Sequence, residues 1–193
     1  SQDGIELLTA LRLKQMAQFK TMYEPTSLGM RLIQVPNDIV AMQELIWKVQ
    51  PDAIVEIGIA HGGSLVMYAG LCELIGKGKV LGIDVEIREE NRVNIEKHAL
   101  FDRIEPLEYS SLRPEAVQHA QLFCRDAEET IVILDSNNTT GHVRQEMDLY
   151  SDLVSANVYL VVLDGGQAFV TEIQRAKAEW DCNNHTTISY KNH

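Results

Sequence analysis

The stretch Ala53-Ile54-Val55-Glu56-Ile57-Gly58-Ile59-Ala60-His61-Gly62-Gly63-Ser64 decides the fold. A short apolar run leads into an acid, and a glycine-rich turn follows. Leu65, Tyr68, Cys72 and Ile75 then fall on one face of a helical pattern. That order reads as buried strand, tight loop and helix start. Further on, Lys79-Val80-Leu81-Gly82-Ile83-Asp84 reads as a second buried strand ending in an acid. A nucleotide-like ligand lying across two adjacent parallel strands uses both features. Glycines let the backbone approach the ligand, and the acid takes ribose hydroxyls. The alternative is a strand-to-helix turn whose glycines serve packing alone.

Outward from this stretch the chain alternates strands and helices. Strands are expected near 53–57, 79–84, 104–108, 130–134 and 158–163. Helices are expected near 64–75, 89–98, 114–124, 140–154 and 168–180. The strands are short and continuously apolar, as in Thr130-Ile131-Val132-Ile133-Leu134, which marks central parallel strands covered on both faces. Parallel strands need helical crossovers, so the expected class is α/β, a doubly wound, mostly parallel, Rossmann-like sheet. An N-terminal helical extension over 1–50 precedes the core over 51–193, in one domain. Its first helix spans 4–23. A loop of turn formers follows, Glu24-Pro25-Thr26-Ser27-Leu28-Gly29. A second helix starts at Pro36-Asn37-Asp38, capped by Asn37 or Asp38, with Ile39, Met42, Ile46 and Val49 as its apolar face. The tail His185–Tyr190 can add one more strand.

Composition narrows the function classes. A chain of 193 residues can bury a core without staples. Its formal charge of −11 argues against a nucleic-acid partner, because such binding rests on Lys and Arg neutralising phosphates. Cys72, Cys124 and Cys182 are odd in number and far apart, without C-x-x-C spacing, and read as reduced thiols of a cytoplasmic protein. No apolar run approaches the roughly 20 residues that span a membrane, and no signal peptide is visible. Leu7, Leu8, Leu11, Leu13, Met16 and Phe19 make the first helix wide for a single buried stripe. That width predicts packing against a second copy, most simply as a twofold dimer.

Ligand sites in such sheets lie at the carboxyl ends of the strands. Glu56 and the glycine loop end the first strand, and Asp84 and Glu86 the second. Glu108-Tyr109-Ser110-Ser111 follows the third, Asp135-Ser136-Asn137-Asn138-Thr139 the fourth, and Asp164-Gly165-Gly166 the fifth. Asp135 and Asp164 are the candidate chemical pair, able to hold Mg²⁺ and thereby orient and acidify a substrate hydroxyl. The alternative for Asp135 is capping of the next helix through an Asx turn. His142, on the first turn of that helix, reads as a base or a surface residue. His61 in the glycine loop reads as a cofactor contact or a solvent-facing residue. Trp47 and Trp180 read as core or edge packing.

The E-x-G-x-x-x-G-G form differs from the dinucleotide G-x-G-x-x-G and resembles the S-adenosylmethionine (SAM) loop of Rossmann-like methyltransferases. A longer resemblance runs through Pro36-x-Asp38, Gln43-Glu44-Leu45-Ile46-Trp47, Pro51-Asp52-x-Ile54-Val55-Glu56-x-Gly58 and Gly62-Gly63-Ser64. It continues through Gly78–Asp84, Ile133-Leu134-Asp135-Ser136, His142-Val143, Leu149-Tyr150-Ser151 and Tyr159–Val162. Together these resemble the cephalosporin hydroxylase family, which has the SAM-methyltransferase fold and includes sugar O-methyltransferases acting on rhamnosyl groups. Relatives commonly read D-S-x-H after strand four, where this chain has Asn138, and E-D after strand five, where it has Leu163-Asp164. In them the second pair helps to hold the metal.

The resemblance implies a SAM-dependent O-methyltransferase acting on a small-molecule or sugar hydroxyl. SAM would contact Glu56, Gly58, His61, Gly62, Gly63 and Ser64, with Asp84 on the ribose and Tyr109 and Ser110 beside the adenine. Asp135, which would also border SAM, and Asp164 would place the acceptor, with Mg²⁺ weakly held if at all. Asn138 and Leu163 favour an alternative, a non-catalytic SAM-binding or scaffold protein. An NAD-linked oxidoreductase would use the same sheet, but the missing G-x-G-x-x-G and the Glu56 before the glycines count against it.

Overall fold

The structure, a computed structural model, describes residues 24–137, 139–156 and 158–163 and the backbone of 187–190. The expected helices over 4–23 and 168–180 lie outside the described residues, as do Asn138, Asp164, Trp180 and Cys182.

A six-stranded sheet forms the centre. Its strands are β3 (Ala53–Ile57), β4 (Lys79–Asp84), β5 (Ile104–Glu108), β6 (Thr130–Leu134), β7 (Tyr159–Val162) and β8 (Thr187–Tyr190). The order is β5-β4-β3-β6-β7-β8, with β8 antiparallel to β7 and every other pairing parallel. β3, at the middle, is buried along its whole length, as is β6 beside it. That burial is why their sequences carry no alternation of apolar and polar residues. β5 is an edge strand, and it tolerates Pro106 because an edge residue can dispense with a ladder donor. Chain order reverses on either side of β3: β4 lies on one flank and β6 on the other. A doubly wound sheet opens its ligand crevice at such a switch point.

The connecting helices match the expected ones closely. They are α2 (Gly63–Ile75), α3 (Glu89–Glu96), α4 (Pro114–Cys124) and α5 (Thr140–Tyr150), the last followed by a 3-10 turn at Ser151–Leu153. The first described helix, α1 (Pro36–Val49), begins before its expected caps. Val35 is the N-cap, Pro36 takes the first turn, and Asp38 lies inside the helix and is buried. Proline suits that position because its missing N–H has no partner in a first turn. Met42, Leu45 and Ile46 face the core. Trp47, expected in the core or at an edge, is not in the core: it is 52% exposed on the outer face of α1, as is Val40.

Where the sequence suggested only a loop, a short hairpin forms from β1 (Thr26–Ser27) and β2 (Met30–Arg31). Leu28 and Gly29 turn it, both at positive φ, as a two-residue hairpin turn requires. The hairpin packs on α2, and the segment after β2 runs to the strand ends.

Candidate functional site

The glycine loop is threaded between the ends of β4 and β6. The Gly58 amide donates to the Ile83 carbonyl, and the Asp135 amide donates to the Ile57 carbonyl, both at 2.8 Å. Gly58 has φ +101, and a Cβ there would overlap the Asp135 carbonyl. Glycine is therefore required both by backbone angle and by space. The next two amides, of Ile59 and Ala60, donate to Asp84 Oδ2 at 2.8 and 3.2 Å. The acid ending β4 thus stands directly beside the loop that follows β3. Among the described residues its second oxygen, Oδ1, accepts only a longer bond from the Glu86 amide at 3.3 Å.

Gly62 and Gly63 make their close approaches to protein. A Cβ on Gly62, at φ +83, would lie 2.6 Å from Ile95 Cδ1, and one on Gly63 would overlap the Arg31 carbonyl. The packing alternative for these two glycines therefore has a direct geometric basis. Gly63 nevertheless also borders a small cavity of about 140 Å³ with Gly58, His61, Ser64 and Asp135. Arg31, Leu32, Ile33 and Gln34 close the cavity from the segment after the hairpin.

Glu56 lies beneath the loop, wholly buried. The Ser64 hydroxyl donates to its Oε2 at 2.9 Å, while Oε1 has no hydrogen-bond partner among the described residues. Burial pushes the Glu56 carboxyl well above the usual carboxylate range. The nearby charges of Asp135 and Asp84 push the same way, against the Ser64 hydrogen bond. Acids from three neighbouring strand ends therefore share one region, and the negative potential of Asp84 and Asp135 suits a cationic ligand.

Thr139 is the N-cap of α5, and Asn137 Oδ1 accepts from the Thr139 amide at 3.1 Å. The Asp135 carboxylate borders the cavity, and its Oδ2 accepts from Gln34 Nε2 at 2.9 Å. Tyr109 stands on the rim, 47% exposed, with its amide bonded to the Asp84 carbonyl at 2.8 Å. Neither Tyr109 nor Ser110 borders the cavity, nor do Glu56, Gly62, Asp84 or His142.

His142 is three-quarters buried, and its Nε2 lies 3.0 Å from Glu146 Oε1. Sequence reasoning missed Glu146 and Gln34. Glu146 had a signal, since an acid four residues after a histidine shares its helix face. Gln34 had none, because its partner is 101 residues away.

The metal pair is only half described. Among the described residues no group of three or more His, Cys, Asp or Glu side chains is arranged to hold a metal ion. Leu163, just before Asp164, is 1% exposed and packs into the core. Among the described residues no helix is long and apolar enough to cross a membrane.

Comparison with known proteins agrees with this geometry. The family described as Rhamnosyl O-methyltransferase/CmcI matches residues 19–191. The rhamnosyl O-methyltransferase of Mycobacterium bovis (strain BCG / Pasteur 1173P2) is 33% identical over 142 residues, which is 72% of this chain and 56% of that protein. The chain thus spans little more than half the length of the curated relatives it matches. A solved structure of CmcI with Mg and SAM aligns at TM-score 0.56 and 19% identity, covering 82% of this chain and 68% of that one. A methyltransferase from Geobacter sulfurreducens aligns at TM-score 0.56 and 15% identity, covering 86% and 76%. At these identities the structural matches establish the fold.

Proposed function

Since the chain belongs to the Rhamnosyl O-methyltransferase/CmcI family, we propose that it is a SAM-dependent O-methyltransferase acting on a hydroxyl of a sugar or other small molecule. The observation that carries this reading is the Asp84 carboxylate bonded to the Ile59 and Ala60 amides. It sets a ribose-binding acid against a glycine loop at the switch point of the sheet.

The residues present fit SAM. Its sulfonium and ammonium groups are cations, and Asp84 and Asp135 supply the matching field. When bound, SAM supplies an electrophilic methyl group. Asp84 Oδ1 is the oxygen best placed for a ribose hydroxyl, since Oδ2 is committed to the loop. Gly58, His61, Gly63 and Ser64 line the cavity end, and Tyr109 and Ser110 flank the adenine from the rim. The 140 Å³ cavity is smaller than the several hundred Å³ typical of ligand pockets, so the ligand extends across the Asp84 and Tyr109 rim. Asp135 orients the acceptor hydroxyl and His142 takes its proton, so that much of the rate comes from positioning. Of the proposed Mg²⁺ pair, Asp135 lies among the described residues and Asp164 outside them.

Titration with SAM, S-adenosylhomocysteine and NAD tests the reading. Micromolar binding of the first two without NAD is expected, and binding of NAD alone would overturn it. The buried Leu163, standing where relatives carry a glutamate, favours a second reading, a SAM-binding protein without turnover. Formation of S-adenosylhomocysteine in the presence of an alkyl rhamnoside separates the two. The free, buried Cys72 and Cys124 support a cytoplasmic setting, and the acidic charge argues against nucleic acid. The apolar pattern of residues 4–23 supports a homodimer, which a monomeric mass by light scattering would exclude.

A further inference from the structure

We propose that Glu146 is the positioning residue of this rim: it gathers Ser111, Ser136 and His142 on one carboxylate oxygen and fixes His142 with Nε2–H engaged and Nδ1 as its proton-accepting nitrogen. Glu146 is wholly buried in the middle of α5. Its Oε1 lies 2.6 Å from the Ser111 hydroxyl, 2.7 Å from the Ser136 hydroxyl and 3.0 Å from His142 Nε2. These partners come from the loop after β5, the loop after β6 and the first turn of α5.

Oε1 accepts from both serine hydroxyls, and an oxygen acting as acceptor needs a donor in its third partner as well. A neutral His142 therefore carries its proton on Nε2, and its lone pair is on Nδ1. A carboxylate behind an imidazole sets tautomer and ring orientation in this way. Tyr150, one turn beyond Glu146, donates from its hydroxyl to the Ser111 carbonyl at 2.7 Å. The loop carrying Tyr109 and Ser110 is thereby tied to α5 twice. Ser136 follows Asp135, so the same oxygen also restrains the residue that borders the cavity. Burial makes the cluster cooperative, since losing the acceptor leaves three donors without their partner in a low-dielectric site.

The inference deepens the methyltransferase reading and rests on it for the role of His142. The hydrogen bond itself does not depend on that reading, so the two fail separately. The test uses the full chain labelled with ¹⁵N-histidine, with the ring N–H signals followed by NMR. An exchange-protected ring N–H that is absent in His142→Asn is expected and so assigned, apart from those of His98 and His119, whose Nε2 atoms face the Leu28 carbonyl and Glu105 Oε1. It should vanish in Glu146→Leu and in Glu146→Asp, whose shorter side chain withdraws the oxygen, and return in Glu146→Gln, whose amide oxygen can still accept. Should the leucine variant fail to fold, the aspartate and glutamine variants decide. A wild-type protein without the protected signal, or a signal that survives Glu146→Asp, overturns the proposal. S-adenosylhomocysteine affinity is measured on the same wild-type samples. A wild-type protein that binds none of this ligand would sink the methyltransferase reading while leaving the hydrogen bond standing.

Discussion

Gly63, the first residue of α2, abuts the Arg31 carbonyl so closely that no side chain fits between them. This contact locks the hairpin onto the helix start and delivers Gln34 to the cavity. Gly63→Ala should therefore destabilise the protein by about 1–3 kcal/mol or more, as overpacking against backbone does. Among the described residues nothing lies within 4 Å of where a Cβ on Gly141 would sit at the start of α5, so Gly141→Ala should instead stabilise by about 0.5–1 kcal/mol. Urea unfolding of both variants checks the pair; equal midpoints would refute the steric account.

Asp84 serves the loop and, in the proposed function, the ribose. Asp84→Ala should weaken SAM binding by roughly 1.5–3 kcal/mol, the value of a charge-assisted hydrogen bond. Calorimetry reads this directly, and an unchanged affinity would move the ribose off this strand end.

Glu56 predicts a pH dependence with a definite sign. Its folded pKa is raised by burial and by Asp135 and Asp84. Above the unfolded value of 4.5 the native state holds a proton that the unfolded chain has lost. Stability from this group therefore falls as pH rises from that value through the folded pKa. Glu56→Gln mimics the protonated side chain and abolishes the loss. The variant should melt with wild type near pH 4 and above it at about pH 8. A wild-type advantage at the higher pH would mean that Glu56 is ionised in the fold.

Leu163 tests the metal question. A glutamate there would replace a core side chain that is 1% exposed, so Leu163→Glu should lower the melting temperature in metal-free buffer. If Asp135 and the new carboxylate share a cation, Mg²⁺ should restore the variant by about 2.7 kcal/mol at a hundredfold excess over its dissociation constant. It should leave wild type unmoved. No recovery in the variant would remove Asp135 from the list of metal ligands.

The chain's own order of residues determined the sheet and the loop. β3, β4 and β6 fall where continuous apolar runs predict them, because a strand covered on both faces must be apolar along its length. The acid after β4 and the glycines after β3 were legible for the same local reason: a strand end and its turn are neighbours in sequence. Tertiary structure decided the rest, because it turned on contacts between distant residues. The hairpin at Thr26–Arg31 has two-residue strands, too short for any period to show. Trp47 fits core or edge packing equally from the sequence, and only the fold turns its helix face outward. Gln34 arrives from the other end of the described chain to accompany Asp135 in the cavity. Ser111 and Ser136 carry no sign of a shared partner. Only the packing of α5 across the strand ends brings both hydroxyls and His142 onto Glu146, where burial makes their hydrogen bonds obligatory.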